Sequence, residues 1–411
     1  MLLNLRLVVP VAILTGLMGP ASADVISDWN EKSVAFVTMR GMLPPQAERV
    51  VATVHVAMFD AINSIERRYR PYLLQLPAEK ETSKEAAAAA AAATALAGLH
   101  PGAAEEMTAA LAAYLASMPG PPKDDGIKLG QAVAAKIVAQ RARDGSDAAD
   151  AYRPKTRPGV YVPTPITASS MWPNVTPFAM SSPSQFRPEP PIPLKSKQWA
   201  ADYNEIKILG GKTSKTRSAR QTEDGRFWLI TGPQSYYPIV RQLVAAKGMP
   251  VIDSARFMAL VSVAAADAYI AVFDAKYHYD FWRPVTAIRN GDIDDNPATE
   301  RDATWQPIDN TPMHPEYPCA HCITSAAVAM VAETVLGGAE VPEIVMTSST
   351  APGATHRWTN LWAYADEVSL ARIWAGFHYR FSTRVGQDMG RKIGQFVVRN
   401  AMQPVNVADV H

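Results

Sequence analysis

The run Arg256-Phe-Met-Ala-Leu-Val-Ser-Val-Ala-Ala-Ala-Asp-Ala-Tyr-Ile-Ala-Val-Phe-Asp-Ala-Lys276 decides the fold. Apolar and small residues fill nearly all of it, so it reads as a helix buried on most sides. A second stretch, Arg49 to Tyr69, lies on it without a gap. The pairs Arg49/Arg256, Ala52/Ala259, Val54/Val261, Val56/Val263, Ala57/Ala264, Asp60/Asp267 and Ala61/Ala268 are identical, seven of 21 positions. In the earlier copy Val50, Val51, Val54, Ala57, Met58, Ala61 and Ile62 recur close to the 3.6-residue helical period. The reading is an ancient duplication that gives two similar helical bundles.

Working outward, helices are expected over Gln46 to Arg68, through the alanine run from Ala86, and over Ala103 to Ser117 and Asp125 to Arg143. Thr82-Ser83-Lys84-Glu85 resembles a capping box in front of the alanines, which pack closely because they lack bulk. Asp24 to Pro45 shows little pattern. Eleven prolines between Pro154 and Pro193 exclude helix over most of that segment. Helical texture returns over Lys195 to Leu209 and Arg217 to Ile230. Strand alternation is not evident, and Val160 to Val162 is the one β-like candidate. The expected fold class is therefore all-α, with residues 24–150 as an N-terminal bundle, 151–194 as a Pro-rich irregular connector and 195–405 as a C-terminal bundle.

Of the 411 residues, 48% are hydrophobic and 19% charged, and the net charge is +1, which supports a large core and gives no footprint for nucleic acid. Residues 1–23 read as a signal peptide: Arg6 is the charge, Leu7 to Met18 the apolar core, and Ala21-Ser22-Ala23 the cleavage site. Beyond residue 24 no membrane span is expected. The mature chain is expected to be exported, periplasmic or secreted, and able to form a homo-oligomer.

Three segments of the second bundle carry candidate chemistry. Lys276 and Arg283 are seven apart, which on one straight helix is the same face, with Pro284 ending that helix. Phe281 and Trp282 adjoin Arg283, so the cation is expected beside apolar rings. Pro318 is a helix starter for the apolar run Ile323 to Leu336. That places Cys319, Ala320 and His321 in a first turn, where unpaired N–H groups and the helix dipole attract an anion. Arg372 and His378 are six apart, the wrong spacing for one helical face, so the helix is expected to break at Gly376. One ammonium, two guanidiniums and two imidazoles are the groups that grip an oxyanion and move protons beside it.

These motifs resemble those of the vanadium-dependent haloperoxidase and type 2 phosphatidic acid phosphatase superfamily, whose pattern is K-x6-R-P, then P-S-G-H, then S-R-x5-H. Lys276, Arg283 and Pro284 match the first segment, and Arg372 and His378 the third, with Ala371 in place of Ser. In the middle segment, Pro318-Cys319-Ala320-His321, Cys replaces Ser and Ala replaces Gly. The resemblance implies an all-helical fold and a site for vanadate, which phosphate or sulfate also fits. It implies that Lys276, Arg283, Arg372, Cys319 and the Ala320 N–H bind the oxyanion and that His321 is the acid/base. His378 would ligate vanadium or attack phosphorus. His314 and Trp282 would lie next to halide or substrate.

Three functions follow from that resemblance. One is a haloperoxidase that uses hydrogen peroxide and halide. The second is an exported acid phosphatase acting on a phosphomonoester through a phosphohistidine. The third is a non-catalytic oxyanion-binding protein. Cys319 and Cys322 are the two cysteines of the chain, spaced C-x-x-C. In an oxidising compartment they are expected either to form a disulfide or to remain as small buried thiols.

Overall fold

The computed structural model describes residues 24–118, 120–163 and 166–405. The expected signal peptide, residues 1–23, lies outside them. The helices run α1 (Val25–Met39), α2 (Pro44–Glu66), α3 (Lys84–Leu99), α4 (Ala104–Leu115), α5 (Pro121–Arg141), α6 (Lys197–Leu209) and α7 (Ala219–Phe227). They continue with α8 (Tyr237–Lys247), α9 (Val251–Tyr279), α10 (Pro284–Arg289), α11 (Ala320–Leu336), α12 (Leu361–Trp374) and α13 (Arg380–Asn400). Between α11 and α12 an antiparallel hairpin pairs β1 (Glu340–Ser348) with β2 (Ala351–Asn360).

The all-α expectation holds apart from that hairpin. Its inward residues Ile344, Met346, His356 and Trp358 alternate with exposed ones, but Pro342 and Pro352 interrupt the pattern. The register slips between Glu340 and Ile344, where Pro342 has no N–H to give to the ladder. Val160 forms an isolated bridge to Phe281 instead of a strand. The segment read as patternless begins with α1, whose Asp24 cap accepts from the Ser27 N–H at 2.7 Å. Ser83, not Thr82, caps α3 through the Ala86 N–H.

The two sequence repeats are the central helices α2 and α9, packed against each other. α3 and α5 pack with α2, while α11 and α13 pack with α9. α9 is long and apolar enough to cross a bilayer, contrary to the sequence reading, yet its apolar stretch is wholly buried inside the protein. Asp60 on α2 and Asp267 on α9 do the same work. Each buried carboxylate accepts three successive backbone N–H groups: Tyr72, Leu73 and Leu74 for Asp60, and Phe178, Ala179 and Met180 for Asp267. Asp267 thereby fastens the Pro-rich segment to the second bundle. Burial lifts both carboxyls to about 6 even so.

Candidate active site

α9 delivers Lys276 from its last turns, fully buried. Its ammonium donates to the carbonyls of Pro315 and Glu316, at 2.8 and 2.7 Å. Arg283 arrives by a route the sequence reading did not foresee. α9 stops at Tyr279, Asp280 turns the chain in the left-handed region at φ 54°, and Arg283 is the extended residue before α10. Pro284 thus begins a helix and does not end one. The helical-face argument for Lys276 and Arg283 is wrong, although both reach the same place. Arg283 donates from Nε to the His314 carbonyl at 2.8 Å and from Nη1 to the Phe377 carbonyl at 3.0 Å.

α11 starts at Ala320 with Cys319 as its cap, so Pro318 lies before the helix and Ala320 and His321, but not Cys319, are in its first turn. Cys319 and Cys322 are joined in a disulfide, and Cys319 Sγ accepts the Cys322 N–H at 3.2 Å. A disulfide sulfur carries no proton, so Cys319 cannot give an oxyanion the hydrogen bond expected of its side chain. The N–H groups of Ala320 and His321 have no acceptor among the described residues. The first turn of α11 also contains no acidic side chain.

α12 carries Arg372, and the helix ends at Trp374. Gly376 then turns the backbone at φ 83°, where a Cβ would lie 2.5 Å from the Gly210 carbonyl oxygen. This break brings His378 back beside Arg372. The Arg372 Nη1 donates to the Trp228 carbonyl at 2.5 Å, while its Nε is a buried donor without a partner.

His378 Nδ1 lies 2.8 Å from Glu316 Oε1, which also accepts the Tyr379 N–H at 3.1 Å. Nδ1–H donates to the carboxylate, so Nε2 is the unprotonated nitrogen and accepts from Arg283 Nη1 at 3.2 Å. Glu316 was missed by the motif reading, although it stands between His314 and the middle motif, two residues before Pro318. Its acceptor-only carboxylate two residues beyond His314 was the available signal. His321 Nε2 donates to the Ile230 carbonyl at 3.0 Å. His314 Nδ1 lies 3.0 Å from Arg283 Nη2.

Trp282 is elsewhere. Its indole stacks on Trp199 with ring centroids 6.0 Å apart, in an aromatic cluster with Phe281, Tyr317, Tyr379 and Phe381. It buttresses the backbone behind Arg283 and does not line the cavity. The cavity itself, about 310 Å³, is walled by His314, His321, Arg372 and His378, with Phe273 and Phe377 among its apolar sides.

The electrostatics of these groups are lopsided. Burial, then the neighbouring Arg283, holds Lys276 well below the usual amine range. Burial lowers Arg283 to about 10 and Arg372 to about 9, with Arg283 adding to the latter. His314, His321 and His378 are all pushed well below the usual imidazole range, first by burial and then by those cations. Burial raises Glu316 to about 7 against the pull of Lys276 and Arg283. Three buried cations against one carboxylate leave a positive excess that, together with unpaired N–H donors on a helix start, a tetrahedral oxyanion neutralises. The residues therefore fit vanadate or phosphate.

Residues 256–407 match the family model described as the VCPO second helical-bundle domain. Vanadium chloroperoxidase of Curvularia inaequalis is 25% identical over an alignment of 280 residues, covering 52% of this chain and 45% of that protein. The chain thus spans about half the length of this curated relative. The structure described as the first bacterial vanadium-dependent iodoperoxidase superposes with a TM-score of 0.81 at 22% identity, over 95% of this chain and 99% of that one. A holo-type bacterial vanadium-dependent chloroperoxidase gives 0.68 at 16% identity, over 87% and 93%. The resemblance carried by the three motifs is thus found again by independent comparisons, and the fold is that of these helical proteins.

Proposed function

We propose that this chain, built on the fold of the vanadium haloperoxidases, is itself a vanadium-dependent haloperoxidase that uses hydrogen peroxide to oxidise halide. The observation that carries the reading is His378. Glu316 fixes its tautomer and aims a lone pair into a buried nest of Lys276, Arg283 and Arg372. A neutral imidazole whose unprotonated nitrogen accepts from Arg283, with Lys276 and Arg372 nearby, is placed to exchange that hydrogen bond for an oxyanion's central atom.

When bound, vanadate supplies a Lewis-acidic centre that activates peroxide toward halide. The chain's own residues do the rest. Lys276, Arg283 and Arg372 hold the oxygens, and the Ala320 N–H adds a donor at the positive end of α11. Nδ1 of His321, free because Nε2 donates to Ile230, takes up and returns the proton that peroxide must lose. His314 stands at the cavity wall beside Arg283, where halide would arrive. Phe273 and Phe377 keep that wall apolar. We further propose export to an oxidising compartment, supported by the cleavage-site pattern at Ala21-Ser22-Ala23 and compatible with the Cys319–Cys322 bridge.

The test is one purification assayed two ways. Peroxide-dependent bromination or iodide oxidation should be found after orthovanadate is added, and excess phosphate should compete with it. Hydrolysis of an aromatic phosphate that vanadate inhibits, with no halide oxidation, would overturn the reading in favour of the phosphatase. Oxyanion binding with neither activity would leave the binding-only reading.

A further inference from the structure

A second cluster of ligating side chains gathers between α7, β2 and α12, outside the oxyanion pocket. Glu223 and Asp224 come from α7, His356 from β2 and Glu367 from α12. His356 is 1% exposed and Asp224 5%, while Glu223 reaches the surface.

The His356 ring is held on both sides. Phe227 stacks on it with centroids 3.8 Å apart and planes within 9°. Nδ1 lies 2.5 Å from Glu367 Oε1. Glu367 also accepts the indole N–H groups of Trp228 and Trp358, each at 3.0 Å. Burial pushes the Glu367 carboxyl up, but these donors outweigh it and hold the group below the usual range. It is therefore a carboxylate, and it accepts the hydrogen bond that His356 Nδ1–H donates.

That leaves Nε2, buried and without a hydrogen-bond partner, aimed at Glu223 Oε1 at 3.5 Å and Asp224 Oδ1 at 3.6 Å. These separations are long for an N–H to carboxylate bond, which runs at about 2.7–2.9 Å. They fit another geometry. Ligand arms of about 2.0–2.2 Å at a tetrahedral angle set nitrogen and oxygen about 3.4 Å apart. Ligand atoms of all three residues lie within 4.8 Å of one another, and the exposed Glu223 side chain is free to close the difference.

Charge points the same way. Arg220 faces the group, with Nε 2.7 Å from Asp224 Oδ1 and Nη atoms 3.4 Å from Glu223 and 3.7 Å from Glu367. Three carboxylates against one guanidinium leave two negative charges, the complement of one divalent cation. Burial and the neighbouring Glu367 push Asp224 up to about 6.

We propose that His356 Nε2, Asp224 Oδ1 and Glu223 Oε1 form a site for one zinc-like divalent cation, with water as fourth ligand and Glu367 as the carboxylate that orients the histidine. Imidazole with two carboxylates suits a borderline first-row ion over calcium or magnesium, which prefer all-oxygen shells. The ion would tie the hairpin to α7. Glu367 and Trp228 belong to the surrounding network, and the Trp228 carbonyl is the acceptor that holds Arg372. The site would therefore brace one wall of the oxyanion pocket without lining it.

The experiment uses untagged full-length protein, stripped with a chelator and titrated with zinc or cobalt. One equivalent should bind. Cobalt should give the intense visible bands of a tetrahedral site, and zinc should displace them and raise the melting temperature. Glu223→Gln, at an exposed position, should weaken binding at least 100-fold, and Glu367→Gln, which removes only the orienting carboxylate, about 10–100-fold. His356→Gln should abolish binding, and if it fails to fold the Glu223 variant carries the test. Zinc binding unchanged in Glu223→Gln would place the ion elsewhere, for example on the pocket histidines, and would overturn the proposal. So would calcium binding in place of zinc, or no saturable binding at all.

Discussion

At the start of α3, two residues beyond its Ser83 cap, the chain places Glu85; at the start of α11, two residues beyond Cys319, it places His321. The correspondence runs down both helix pairs. A Cβ on Gly126 of α5 would meet the Ser83 carbonyl oxygen at 2.5 Å, and one on Gly386 of α13 the Cys319 oxygen at 2.7 Å. One turn on, Gly130 faces the Ala87 oxygen and Gly390 the Ile323 oxygen, each at 2.2 Å. In α2 and α9 the repeat sets Tyr69 where Lys276 stands. The first bundle answers the positive end of α3 with its own Glu85 carboxylate and pairs the one lysine of that turn, Lys84, with Glu66. The second leaves the matching end of α11 unanswered and surrounds it with cations. One packing scheme thus serves once as structure and, on the function proposed above, once as an anion receptor.

The largest effect that would break this comparison is catalytic. His378→Ala should reduce vanadate-dependent halide oxidation by about 10³-fold, at the scale of losing a positioned ligand or acid/base group. Glu85→Ala, at the first bundle's counterpart of His321, should leave kcat unchanged and lower stability by about 0.3–1 kcal/mol through the helix dipole alone. An activity loss in Glu85→Ala comparable to that of His378→Ala would mean the first bundle also takes part in the chemistry.

Next in size are the close-packed glycines. Gly130→Ala and Gly390→Ala each force a methyl into a carbonyl oxygen and must spread two helices, which costs about 1–3 kcal/mol. Chemical denaturation should show similar losses for both. Only Gly390→Ala should also change the KM for halide or the affinity for vanadate, because α13 follows directly from His378 and packs on the first turn of α11. If both variants shift those constants equally, the two bundles do not act as separate units.

How much of this was legible in the chain follows from the kind of signal involved. The repeat and the three motifs are local patterns, and they led to the helical fold, to the central pair of helices and to the residues that meet at the pocket. Gly376 was readable as a break because the spacing of Arg372 and His378 demanded one. The path to Arg283 was not readable, because Asp280 adopts a left-handed turn that its residue type does not announce. The hairpin was hidden by two prolines, and α1 by polar residues that are satisfied only through distant partners, such as Asn30 with His55. Glu316 could have been weighed and was not. His356 could not have been paired with Glu223 and Asp224, since more than a hundred residues and all the elements from α8 to β1 separate them, and nothing in the sequence marks Glu367, in the next helix, as its partner.

The smallest effect concerns the two aspartates that the bundles share. Asp60 and Asp267 have folded-state values of about 6 because burial outweighs their three N–H donors. The folded protein therefore binds more protons than the unfolded chain between the ordinary carboxyl value and about 6. Their contribution to stability is fully present below the unfolded value and is lost as pH rises through 6. Glu48, lifted by burial to about 8 despite the hydroxyls of Tyr236 and Tyr237, acts in the same sense at higher pH. Stability should thus fall between pH 4 and 7, and Asp60→Asn and Asp267→Asn should each flatten that fall. Each should also lower stability by about 2 kcal/mol, since a neutral amide is a weaker acceptor and brings an N–H among donors. Equal flattening in the two variants is the outcome that fits a shared origin for the two helices. If Asp267→Asn alone changes the slope, the likeness of α2 and α9 is one of shape without common energetics, because the same carboxylate in the same burial must titrate the same way.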